Sequence, residues 1–308
     1  MKMTLPKPAI SAPRLLHRRV ITVNVEAQGV RVLVVKGDRV ITWGEEPLAP
    51  GLVREGVVAD PAAVAPFLKS LFASHRLLGG KLVVSVTGLR SIPRTLDLPK
   101  MEPKLMGTAV LHEAKREMPV PLEEIYLSWQ PLETDNGHQR IFALGVPRDT
   151  IDPLLKAITL AGKRAGSVDI KPLALARAVD RRDAIIADLE SDSVDVVIVK
   201  DGMPALMRAV VIRADGADGG ERVERFREEL VRTVKFYNDT HRQEPIAPST
   251  PLFLTGALAL EAAAAEAAIS LESLVQYPIE PLAPPLECPP DFPAYRYAVN
   301  IGLALKEV

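Results

Sequence analysis

The chain writes one strand–turn–strand twice. Residues 24–38 read NVEAQGVRVLVVKGD and residues 188–202 read DLESDSVDVVIVKDG. A shift of 164 positions sets Asn24 on Asp188, Glu26 on Glu190, Val30 on Val194, Val32 on Val196, Val35 on Val199 and Lys36 on Lys200. Apolar residues alternate through both copies, the spacing of a strand with one face buried. With 308 residues there is room for two halves and a sizeable core. A repeated hairpin at this separation constrains the chain to an internally duplicated α/β plan.

The surrounding pattern fills in that plan. From Val20 to Trp43 two turn signals, Ala27-Gln28-Gly29 and Lys36-Gly37-Asp38-Arg39, divide three antiparallel strands. Asp60-Pro61 opens a helix as cap and first-turn proline, with Val64, Phe67, Leu68, Leu71 and Phe72 on its apolar face and Pro66 as a possible bend. Leu82–Val86 is a buried strand. Residues 91–166 form a module of their own in the order β-α-β-β-α: a strand at Leu96–Leu98, a helix at Lys104–Glu117, strands at Ile125–Leu132 and Arg140–Val146, and a helix at Thr150–Lys163. The second half repeats the hairpin from Ile185 to Val211, then passes a loop at 215–220. A charged helix spans Glu221–Tyr237, and a strand at Leu252–Leu254 enters Thr255-Gly256. An alanine-rich helix runs to Ile269, a proline-rich connector covers 278–293, and a last helix covers Ala294–Lys306. The division expected is a basic tail at 1–19, a first half at 20–183 with its inserted module, and a second half at 184–308.

Composition excludes several classes. The net charge of −1 gives no basic excess for nucleic-acid binding. No stretch approaches the ~18 uninterrupted apolar residues of a membrane span, and the N-terminus lacks the apolar middle of a signal peptide, so a cytoplasmic location is expected. The one cysteine, Cys288, has no partner for an internal disulfide. Lys2, Lys7, Arg14, Arg18 and Arg19 make the N-terminus a solvated basic tail.

Two three-stranded units extended by strand–helix elements are what an internally duplicated α/β fold produces, and the plan resembles the actin-like, ribonuclease H-like ATPase fold. The stretches EPLAPGLVREGVVADPAAV, VVSVTGLRSIPRTLDLPKM, HEAKREMPVPLEEIYLSWQPLE, DIKPLALARA, ELVRTVKFYN, LFLTG and AVNIGLAL go further. In their order they resemble the PilM family of pilus-assembly proteins, relatives of the cell-division protein FtsA. The resemblance implies a cytoplasmic scaffold of the type IV pilus machine. Such a scaffold binds the N-terminal cytoplasmic segment of a PilN-like inner-membrane protein in a groove beside the inserted module, meets other pilus components, and reaches the membrane through that partner.

The resemblance also implies where a nucleotide would lie. The first phosphate turn falls on Asn24, Val25, Glu26, Ala27, Gln28 and Gly29, where the family usually has Asp-Ile-Gly-Ser-Ser, and Arg31 stands in the place of its lysine. The second turn keeps Asp188 but has Glu190 for glycine, with Ser191 and Ser193 as remaining donors. The adenosine motif is cut to Thr255-Gly256-Ala257. A carboxylate ~4 Å from a phosphate oxygen costs about 4 kcal/mol at an effective dielectric of 20, or roughly a thousandfold in affinity. The expectation is that ATP and magnesium bind weakly or not at all, with no catalytic residue, no resident metal and no required cofactor.

Other chemistry finds no support. His112-Glu113 begins a zinc-protease motif, but Arg116 stands where the second histidine belongs. Gly79-Gly80-Lys81 lacks the spacing and the hydroxyl of a phosphate-binding loop. An ATP-dependent kinase of the superfamily would need intact phosphate turns. An FtsA-like polymer protein would want an amphipathic C-terminal anchor where this chain reads Lys306-Glu307-Val308. A type II secretion L-like component would continue into a membrane span.

Overall fold

Two twisted sheets carry the duplicated hairpins, and the alternation of their strands decides which side chains meet. The computed structural model describes residues 19–77, 79–135, 137–212, 219–259 and 277–306. In the first sheet, β1 (Arg19–Glu26), β2 (Gly29–Lys36) and β3 (Arg39–Pro47) form the antiparallel unit. A short hairpin follows, β4 (Val53–Arg54) with β5 (Val57–Val58), then α1 (Pro61–Ser74) and β6 (Lys81–Val86), parallel to β1. The Asp60 carboxylate caps α1 by accepting from the Ala62 and Ala63 amides, and Pro66 sits inside one continuous helix.

The inserted module follows: β7 (Ile92–Pro99), α2 (Pro103–Glu117), a 3-10 turn at Leu122–Glu124, β8 (Ile125–Asp135) and β9 (His138–Pro147), in sheet order β7-β9-β8. Leu96, Leu98, Ile125, Ile141 and Ala143 pack with Met106, Val110 and Ala114 of α2 into a separate small core. The next helix, α3 (Arg148–Leu160), turns Ile151, Leu154, Ala157 and Ile158 instead into the main core beside α1. The chain then completes the first sheet with β10 (Ser167–Ile170), giving the order β10-β6-β1-β2-β3. His112 and Glu113 lie on α2, where Glu113 pairs with Arg116.

Helix α4 (Lys171–Val179) leads into the second sheet. There β11 (Ala184–Leu189), β12 (Ser193–Lys200) and β13 (Met203–Val211) repeat the antiparallel unit, and α5 (Gly219–Thr240) leads to β14 (Leu252–Thr255), parallel to β11. The strand order is β13-β12-β11-β14. Gly219 and Gly220, read from sequence as loop, belong to the first turn of α5. The alanine-rich helix, the basic tail up to Arg18 and residues 213–218 fall outside the described residues. The proline-rich connector runs along β3, exchanging backbone hydrogen bonds from Val40 to Glu287 and from Glu287 to Asp38.

The last helix, α6 (Ala298–Leu305), begins four residues later than its apolar pattern suggests, after the turns at Pro293–Tyr297. It crosses α4 and packs on β1, β2 and β6 of the first sheet. Asn300, fully buried, fixes that return by donating to the Thr22 hydroxyl at 3.1 Å and to the Arg31 carbonyl at 3.2 Å. At the crossing, a Cβ on Gly302 would stand 1.7 Å from the Ala174 carbonyl oxygen. Only a glycine permits the two helix backbones this approach.

Gly302→Ala therefore forces the helices apart. The expected loss is about 1–3 kcal/mol or more, read as a lower urea midpoint with an unchanged slope.

Candidate functional site

Period-two alternation turns one face of each strand toward the other sheet. On β1 and β2, Ile21, Val23, Val25, Val30, Val32 and Val34 face α1 and α3. The opposite faces carry Val20, Leu33 and Val35 at one end and Asn24, Glu26 and Arg31 at the other. The second sheet repeats this, with Ile186, Val197 and Val199 at the apolar end and Asp188, Glu190 and Asp195 at the polar end. The facing surfaces are thus a shared apolar core with α4 and α6, closed at one side by charge.

Those charges are buried: Asp188 is 1% exposed, Asp195 2%, Arg31 and Lys171 3%, Glu190 5% and Glu26 6%. Arg31 holds Glu190 with two bonds, 2.6 Å from Nη1 and 3.0 Å from Nη2, and Glu45 at 3.2 Å from Nε. Glu45 is held in turn by Arg296 at 2.8 Å. Lys171, the first residue of α4, places its Nζ 3.1 Å from Glu26, 2.8 Å from Asp188 and 3.0 Å from Asp195. Asn24 donates to Glu26 at 3.0 Å and accepts from the Ser85 hydroxyl at 2.6 Å, while the Thr255 hydroxyl donates to Asp188 at 2.6 Å. The Arg31–Glu190 pair therefore joins the two sheets directly, and Lys171 of α4 joins Glu26 of one to Asp188 and Asp195 of the other.

The structure brings together Asn24, Glu26, Arg31, Asp188, Glu190 and Thr255. Ser193 lines the adjoining pocket with Glu26, Lys171, Asp195, Glu55, Gly56 and Thr87; its free volume is about 20 Å³, room for about one water. Ser191 lies in the turn between β11 and β12, which the Glu190 amide closes by donating to the Ser193 carbonyl. Gly256, at φ +93°, is pressed against Leu189: a Cβ there would meet the Leu189 oxygen at 2.3 Å. Gly29 sits under the Glu46 carbonyl. Gln28 stands apart, exposed at the tip of the β1–β2 hairpin.

The sequence reading missed Lys171, Asp195, Glu45 and Arg296. One signal was available for Lys171. A cation in the first turn of a helix opposes the helix dipole, so a lysine directly before Pro172 at the start of α4 implies carboxylates nearby.

Burial disfavours the charge on Lys171, but Asp188, Asp195 and Glu26 outweigh it and raise its pKa well above the ordinary range. Arg31 is likewise raised, Glu190 overcoming burial. On the acid side, burial lifts Glu26 and Asp195, and it lifts Glu190 to about 7. Repulsion among the carboxylates adds to burial. Oxygens of Glu26, Asp188 and Glu190 lie within 4.8 Å of one another. Such a trio could hold a cation, and the Lys171 ammonium already touches two of its members. Glu45 moves the other way, since its bonds to Arg296 and Arg31 outweigh burial and hold it low.

The family model described as type IV pilus assembly protein PilM matches residues 23–217, well over half of the chain. The chain belongs to the PilM family. Among solved structures it is similar to the PilM–PilN type IV pilus biogenesis complex, at 22% identity and a TM-score of 0.76, with 96% of this chain and 99% of that one covered. It is also similar to the ethanolamine utilization protein EutJ from Carboxydothermus hydrogenoformans, at 12% identity and a TM-score of 0.55, covering 98% and 92%. A search of curated protein sequences gives no match. The fold is the actin-like ATPase fold shared by this family. No described helix is long and apolar enough to cross a membrane.

The linked protons give a testable pH profile. Glu190, with an ordinary value of 4.5 and a folded value near 7, binds more proton when folded across that window. Glu26 and Asp195 act in the same direction. Stability then falls as pH rises from about 5 to 8, the reverse of the usual carboxylate case, while the Lys171 contribution persists until pH exceeds its ordinary 10.5. As pH falls below its ordinary 4.5, the lowered Glu45 loses its contribution and the fold weakens again. Urea midpoints should correspond to on the order of 1–2 kcal/mol more stability at pH 5.5 than at pH 8. Glu190→Gln should flatten that slope.

Proposed function

We propose that this protein is a cytoplasmic scaffold of type IV pilus assembly. It binds the N-terminal cytoplasmic segment of a PilN-like inner-membrane protein in a groove beside the inserted module, and sits at the inner face of the membrane through that partner. It binds Mg-ATP weakly or not at all and does not hydrolyse it. Family membership and the likeness to a PilM–PilN complex along nearly the whole of both chains support the scaffold reading.

One observation carries the nucleotide half of the proposal: the cations of the cleft are already spent on internal carboxylates. A phosphate entering beside Asn24 and Asp188 would meet Glu26 and Glu190, while Arg31 and Lys171, which would attract it, are paired at 2.6–3.1 Å. The adjoining pocket holds about 20 Å³. These residues do not fit Mg-ATP, because its entry would strand buried charges that together lack an alternative partner.

A fluorescently labelled peptide with the N-terminal sequence of a neighbouring PilN-like protein should bind saturably, with the same affinity in the presence and absence of Mg-ATP. No saturation at high micromolar protein would overturn the scaffold reading. Separately, calorimetric titration with Mg-ATP should give no binding in the micromolar range; a micromolar constant would overturn the nucleotide half alone.

A further inference from the structure

The ion network has a position in the fold that its chemistry alone does not explain. The two sheets are joined through the apolar contacts of α4 and α6, where Ala174, Ala178, Ile301 and Ala304 pack among Val20, Leu33, Ile186 and Val197. That core occupies one end of the facing strands. At the other end the facing residues are charged, and carboxylates of both sheets converge: Glu26 from β1, Asp188 and Glu190 from the end of β11, and Asp195 from β12. Left to themselves these groups repel and push the strand ends apart. What draws them together is an ammonium with three donors placed among three carboxylates, and a guanidinium forked onto a fourth.

We propose that this network is an internal latch between the sheets, with Lys171 as its pin. The pin stands in the position a bound cation would otherwise occupy, so the polar ends of β1 and β11 are held at fixed separation with no ligand between them. Pseudo-symmetry makes the latch two-sided. Glu26 and Glu190 occupy equivalent places, and each is neutralised by a cation that does not come from its own hairpin: Lys171 from α4 for Glu26, and Arg31 from β2 for Glu190. Arg31 and Asp195 are themselves equivalent under the same shift of 164 positions, so one hairpin supplies a base to the network and the other an acid. This inference rests on the contacts alone and is independent of the pilus partner.

Amide hydrogen exchange on the full chain tests it. Lys171→Met should speed exchange in β1 and β11 by on the order of a hundredfold or more, while the β7-β9-β8 sheet, which has its own core, exchanges as before. Asp188→Asn keeps the shape, removes the counter-charge nearest the ammonium, and should give a smaller acceleration confined to the same strands. In Lys171→Ala, millimolar MnCl₂ should recover at least tenfold of the lost protection and leave the unsubstituted protein unchanged. Acceleration spread evenly over every sheet, or none in β1 and β11, overturns the latch. Slowing of exchange by Mn²⁺ in the unsubstituted protein overturns the assignment of Lys171 to the cation position. If neither Lys171 variant folds, the exchange pattern of Asp188→Asn decides.

Discussion

A lysine ammonium with three buried carboxylates around it sets the terms for the rest of this molecule. Burying any one of these groups alone would cost several kcal/mol after relaxation. Lys171, Glu26, Asp188 and Asp195 are tolerated only because they are buried together. That requirement fixes where α4 must begin, how closely β1 approaches β11, and why the hydroxyls and amides of Thr255, Ser85 and Asn24 point inward. The charged half of the interface tolerates little displacement, because moving one ion away leaves another unpaired in a low-dielectric site.

The fold was largely legible from the residues. Alternation in the two hairpins located six strands to within a few positions, and Asp60-Pro61 marked the start of α1 because a capping carboxylate and an N-terminal proline have no better place in a helix. Two features were not. The hairpin β4–β5 is too short to establish a period, and β10 with α4 is buried on nearly every side, so DIKPLALARA shows no amphipathic contrast. The late start of α6 has a different cause. Pro293 permits a helix to begin there, but Ala294–Tyr297 are taken up in turns that bring the Tyr297 ring against Phe292, which in turn packs on Trp43.

The same division runs through the site. Asn24, Glu26, Arg31, Asp188, Glu190 and Thr255 were identifiable because each occupies a motif position in one local stretch. Read singly, Glu26 and Glu190 were charges that would repel a phosphate. In the fold they are neutralised by cations from other elements. Glu45 and Arg296 lie 251 positions apart and announce nothing of their pairing.

What the sequence determined by itself was the duplicated plan, the alternation that sorts each strand into a core face and a cleft face, and the presence of a glutamate at the same place in both hairpins. These are consequences of backbone periodicity and of residue type, which act over a few neighbouring positions. Only the tertiary structure decided what those glutamates do. Whether a carboxylate is a repulsive surface charge or half of a buried pair depends on a cation brought from elsewhere in the chain. Arg31 reaches Glu190 over 159 positions, and Lys171 reaches Glu26 only because α4 starts at the junction of the sheets. Electrostatic energy depends on distance and burial, and neither is set until the sheets have closed on one another.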